Sequence, residues 1–189
     1  MVDGDKFVIV AQARPGGTDN PATRVGQRVP FGAPFGVCNV PWAPDAEVGS
    51  WFARSSLHVS VSERALHESV FEGIRARGYG VERLVTARSQ LHDALLEFRG
   101  QTLSSLVLDR LRENLPNLTV REYLPDELTG RGRVDVGLVH APERDGAGMM
   151  AFTVSAHLRR TVSRSELRRI GSLVLDETLS LRTRLSERG

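Results

Sequence analysis

Two apolar runs joined by a turn signal constrain this chain more than any other feature. Residues 134–141 (VDVGLVHA) and 149–155 (MMAFTVS) flank PERDGAG, which contains the pair Asp145 and Gly146. Aspartate followed by glycine favours a hairpin, because glycine reaches positive φ without steric cost. An antiparallel pair of strands needs a partner for its apolar face. A helix whose stripe also suits packing against another helix follows directly afterwards. Ser163 and Glu166 have the spacing of a capping box, and Leu167, Ile170, Val174, Leu181 and Leu185 form one stripe of the helix they open.

The rest of the chain reads as a mixture of both element types. Residues 7–13 form an apolar run rich in β-branched residues, the pattern of a strand buried on both faces. Residues 14–24 read as a loop, 24–31 as a second strand, and 32–44 (GAPFGVCNVPWAP) as an apolar stretch too broken for a helix. Pro44 suits the first turn of a short helix to about Arg54. A longer helix is predicted from Ser62, as N-cap, to Arg77, with Leu66, Val70, Phe71 and Ile74 on one face and Gly78 as its stop. Short strands are predicted at 79–85 and 118–124, helices within 89–115, and a polar connection at PDELTGRGR. Strands and helices do not alternate regularly. One α+β domain over residues 1–189 is therefore expected, with a mainly antiparallel sheet and helices packed on it.

Composition narrows the function classes. The net charge is +2, yet the isoelectric point is about 9.2. Lys6 is the sole lysine, so 24 of the 25 basic residues are arginines, which do not deprotonate. The basic group Arg159, Arg160, Arg164, Arg168 and Arg169 reads as a solvated surface. A single cysteine closes no internal disulfide, and no apolar stretch is long enough to span a membrane. A cytoplasmic protein without membrane association is expected.

Motifs for chemistry are sparse. There is no GxSxG, no phosphate-binding loop and no HExxH. Gly130, Arg131 and Gly132 precede a predicted strand, the wrong order for a dinucleotide loop. His58, His67, His92, His140 and His157 show no metal-ligand spacing, so neither metal nor cofactor is expected. Cys38 reads as a buried thiol and His140 as a structural histidine, the alternative being that one or the other is the reactive group of a small enzyme. On the strand 149–155, Thr153 and Ser155 share a face, roughly 7 Å apart. Their hydroxyls need partners, either protein groups and water or a small polar ligand.

Four motifs in order carry a resemblance: Gly26, Arg28 and Pro30 in RVGQRVPFGAPFG; Arg77, Gly78 and Tyr79 in RARGYGVERL; Ala141, Pro142 and Asp145; and the hydroxyl-bearing strand with Thr153 and Ser155. Over nearly its whole length the chain resembles the effector-binding domain of IclR-type bacterial transcription regulators. The resemblance implies a GAF-like fold that binds a small organic effector, often a carboxylate or aromatic metabolite, between the sheet and a lid. It assigns backbone amides at Ala33, Phe35 and Gly36 to the grip on the ligand. It sets Thr153 and Ser155 opposite them, and places Pro142 where some members carry a ligand-touching cysteine.

Pro34 removes one amide from that grip, and Phe31, Phe35 and Trp42 suggest an apolar or larger effector. Residues 86–116 exceed the corresponding connection, so an extra helical element over the pocket is expected. No segment reads as the family's winged helix-turn-helix. DNA contact is thus expected only through an N-terminal domain not present in this chain, with a homodimer or homotetramer as the assembly. The leading expectation is a non-enzymatic ligand sensor. The competing ones are a small enzyme using Cys38 or His140, and an interaction module whose late helix forms a dimer interface.

Overall fold

A computed structural model describes residues 2–3, 6–11, 25–55, 59–84, 122–144 and 150–187. In chain order the elements are β1 (Val2–Asp3), β2 (Lys6–Val8), β3 (Arg28–Pro30), a 3-10 turn at Val37–Asn39, α1 (Asp45–Ala53) and α2 (Val61–Arg77). Then follow β4 (Gly80–Arg83), a second 3-10 turn at Asp126–Leu128, β5 (Arg133–Arg144), β6 (Met150–Ser163) and α3 (Arg164–Ser186). The fold is α+β. Two three-stranded antiparallel sheets, β1-β2-β3 and β4-β5-β6, carry the helices.

The expected hairpin organises the larger sheet. β5 and β6 pair antiparallel, with Ala141 opposite Val154 and Pro142 opposite Thr153. β6 does not stop near residue 155; it continues to Ser163 and delivers the chain straight into α3. Register shifts at Gly137: Glu82 pairs with Leu138, while Arg83 pairs with Val136. One extra β5 residue reverses the inward–outward alternation at this point. Val134 and Val136 before it, and Val139 and Ala141 after it, consequently enter one apolar cluster with Val81 and Val162 beneath Leu167 and Val174 of α3.

Several expectations need correction. α2 is capped by Ser60, not Ser62; Ser60 and Glu63 form the full capping box, while Gly78 ends the helix at φ 81° as expected. His67, not Leu66, joins Val70, Phe71 and Ile74 on the buried face, and Leu66 is 41% exposed. At α3, Ser163 accepts the Glu166 N–H, but the Glu166 carboxylate turns to Arg160 instead of closing a box. Leu185 falls off the buried stripe, which runs through Leu167, Gly171, Val174 and Thr178. β2 is three residues long and only partly buried, because it belongs to the small sheet and not to the central one. The loop at 14–24, the helices within 89–115, the element expected at 86–116 and the turn residues Asp145 and Gly146 lie outside the described residues.

A second apolar cluster sits on the other side of the molecule. Ala33, Val37, Cys38 and Val40 pack there with Trp51 and Phe52 of α1 and with Val70, Phe71 and Ile74 of α2. Among the described residues no helix is long and apolar enough to cross a membrane.

Candidate functional site

Strand pairing alone decides which side chains meet on the sheet face opposite α3. Residues directly opposite one another on antiparallel strands share a face, as do residues two apart on one strand. Gly80 pairs with His140, and Glu82 lies two residues beyond Gly80. Glu122 forms an isolated antiparallel bridge with Glu82. Ser155 pairs with His140, and Thr153 with Pro142. These residues therefore share one face, and the segment 31–42 covers it through its 3-10 turn.

The cover is fastened. The Ala33 N–H donates to the Trp51 carbonyl at 3.1 Å, and Trp51 Nε1–H donates back to the Phe35 carbonyl at 2.7 Å. Arg54 Nε–H reaches the Phe31 carbonyl at 2.7 Å, and Arg75 Nε–H the Pro41 carbonyl at 2.5 Å. Segment, α1 and α2 are thus tied into one unit. Across the gap, Thr153 Oγ1–H donates to Asn39 Oδ1 at 2.7 Å. At one edge Arg144 lies over the Trp42 ring, 4.2 Å from its centroid, a cation–π contact.

At the other edge the chemistry concentrates. His140 Nε2 stands 3.3 Å from Glu122 Oε1, and both residues are buried. His140 also interacts with the Cys38 thiol. Burial by itself depresses the His140 pKa; Cys38 and the Glu122 carboxylate outweigh it and hold the pKa well above the ordinary histidine value. Glycine at position 80 is what makes room for the ring: a Cβ there would lie 2.3 Å from His140 Nε2. Glu82, Glu122 and His140 each bring one potential ligand atom to within 4.8 Å of the others.

Of the residues expected from sequence, Pro142, Thr153 and Ser155 meet on this face, with Thr153 touching the cover and Ser155 exposed. The amide grip is less free than expected. The N–H groups of Ala33 and Phe35 already donate to Trp51 and Gly32, so an anion would have to compete with those bonds. Gly36 takes φ 79°, and a Cβ on it would run into the Phe7 and Phe31 rings. Phe31 is spent packing on Phe7, its ring centroid 5.4 Å away. Asn39, Glu82 and Glu122 were not singled out from sequence. Asn39 sat unnoticed in the GVCNV stretch, and the two glutamates are brought opposite each other only by tertiary pairing. No family model, no curated protein and no solved structure matches this chain.

Proposed function

We propose that the chain is a ligand-sensing regulatory domain of the IclR type. It binds a small organic effector between the segment 31–42 and the β5–β6 face, and so modulates DNA binding by a separate N-terminal domain in a cytoplasmic homo-oligomer. The observation that carries this reading is the hydrogen bond from Thr153 to Asn39, a polar link between cover and strand that lies where the resemblance sets the ligand. Thr153, Pro142 and Ser155 line the sheet side, and Asn39 and Gly36 the cover side. Arg144, held over Trp42 two residues beyond Pro142, supplies positive charge for a carboxylate. Because the cover is tied to α1 and α2, an effector that prefers one spacing between cover and sheet shifts that whole unit.

A thermal-shift screen of the chain against aliphatic and aromatic carboxylic acids tests the proposal. A ligand at 100 times its Kd stabilises by about 2.7 kcal/mol, and Thr153→Val is expected to remove the response while the protein stays folded. A folded protein that responds to no acid in the panel contradicts it.

A second reading has its own observation. Cys38, His140 and Glu122 form a buried row of thiol, imidazole and carboxylate, the order in which a base activates a nucleophile and a third group orients the base. On this reading the chain is a small enzyme acting through Cys38. Alkylation of Cys38 in the native protein faster than in the unfolded chain supports it; an inert thiol rejects it.

A further inference from the structure

We propose that Glu82, Glu122 and His140 form a binding site for one divalent transition ion of the zinc class. The inference is independent of the effector reading. It starts from an electrostatic cost: Glu82 and Glu122 stand directly opposite one another on paired strands, and like charges in that position repel. Glu122 is 2% exposed, so little water screens it. Buried charges of this kind are paired or coordinate a metal.

The geometry of these groups also accommodates a cation between them. His140 Nε2 is buried and makes no hydrogen bond, although Glu122 Oε1 is only 3.3 Å away. Two ligand atoms bound tetrahedrally at about 2.0–2.1 Å from zinc lie about 3.3–3.4 Å apart, so the observed separation is that of one edge of such a site. All three potential ligand atoms lie within 4.8 Å of one another. Gly80 leaves the space above the strand in which His140 Nε2 sits.

An imidazole with two carboxylates selects against Mg2+ and Ca2+, which prefer oxygen ligands alone, and suits zinc and its neighbours. Three protein ligands also match zinc sites that keep an exchangeable fourth position. Cys38 touches His140 but lies outside the cluster of three.

The experiment uses the full chain, stripped with a chelator, equilibrated with Zn2+ and dialysed before metal analysis and titration calorimetry. One Zn2+ per chain is expected, unaffected by millimolar Mg2+. Even a partner that only orients a ligand is worth about tenfold to a hundredfold in affinity. Glu82→Gln, Glu122→Gln and His140→Ala are each expected to lose at least that much, while Cys38→Ala keeps the metal. Glu82 is only half-buried, so Glu82→Gln reports on the site even if the buried variants fold poorly. A folded wild-type chain that retains no Zn2+ overturns the proposal. So does unchanged affinity in Glu82→Gln, which would place the ion on other histidines, or loss of the metal in Cys38→Ala.

Discussion

On the α3 side of the β4-β5-β6 sheet, Val81, Val134, Val136, Val139, Ala141 and Val162 meet Leu167 and Val174, and the buried Glu143 carboxylate beyond them is paired with Arg182 of α3. On the other side the same strands present Gly80, Glu82, His140, Pro142, Thr153 and Ser155 to a segment held by hydrogen bonds. The first face is mainly what hydrophobic burial selects, and each of its apolar residues is replaceable by another of similar volume. The second spends stability on a buried carboxylate and an imidazole that a purely structural sheet would omit. On that contrast the proposed function lies on the 31–42 side, and α3 serves stability. It is open to attack from either face.

The largest effect is expected from Trp51→Ala. Trp51 is fully buried and its ring nitrogen holds the Phe35 carbonyl, so both the core and the cover lose their pin. Truncating a buried tryptophan costs about 3–5 kcal/mol, read as a lowered denaturation midpoint. The ligand response is expected to fall with it. Gly171→Ala attacks the other face. A Cβ at 171 would meet the Tyr79 ring at 2.3 Å, so the buried ring or α3 itself must shift. Overpacking of this kind costs about 1–3 kcal/mol in chemical denaturation, with the Zn2+ and carboxylate responses retained in the folded fraction.

Thr153→Val sharpens the comparison further. It preserves shape but leaves Asn39 Oδ1 without the Thr153 donor, a loss of about 1 kcal/mol by urea titration. The ligand response should disappear although little stability is lost. The smallest effect concerns Glu127, which sits in the second 3-10 turn and pairs with Arg83 of β4. Burial raises its pKa, but Arg83 and the Leu124 N–H, at 2.7 Å, more than offset that and hold it below the usual glutamate value. Its contribution is therefore present above the ordinary carboxylate pKa and disappears as pH falls through the depressed one. Glu127→Gln is expected to cost about 0.5 kcal/mol near neutral pH, after solvent screening of a partly exposed pair, and nothing in strong acid. Thermal midpoints at neutral and low pH check this.

Legibility in the sequence followed locality. The β5–β6 hairpin and α3 were readable because their signals lie within a few residues: Asp145 beside Gly146, and Ser163 three residues before Glu166. Thr153 and Pro142 were readable as face-sharing or motif-bearing positions on single strands. The valine face was only partly readable, since Gly137 reverses the alternation and nothing in the local pattern announces it. Ser60 displaced Ser62 as cap because its hydroxyl and backbone, not its neighbour's, meet Glu63. Glu82, Glu122 and His140 were illegible as a cluster. Residues 40 and 18 positions apart carry no shared periodicity, and only the bridge between Glu82 and Glu122 brings them together.

Hydrogen–deuterium exchange of the folded chain, with and without a carboxylic acid that raises its midpoint, tests the location of function most directly. Protection is expected in 31–42 and 150–155, where the cover meets the β5–β6 hairpin, with α3 unchanged beyond the global stabilisation. Ligand-induced protection concentrated in 164–186, with 31–42 unaffected, would contradict the account and move the binding surface to the face assigned here to stability.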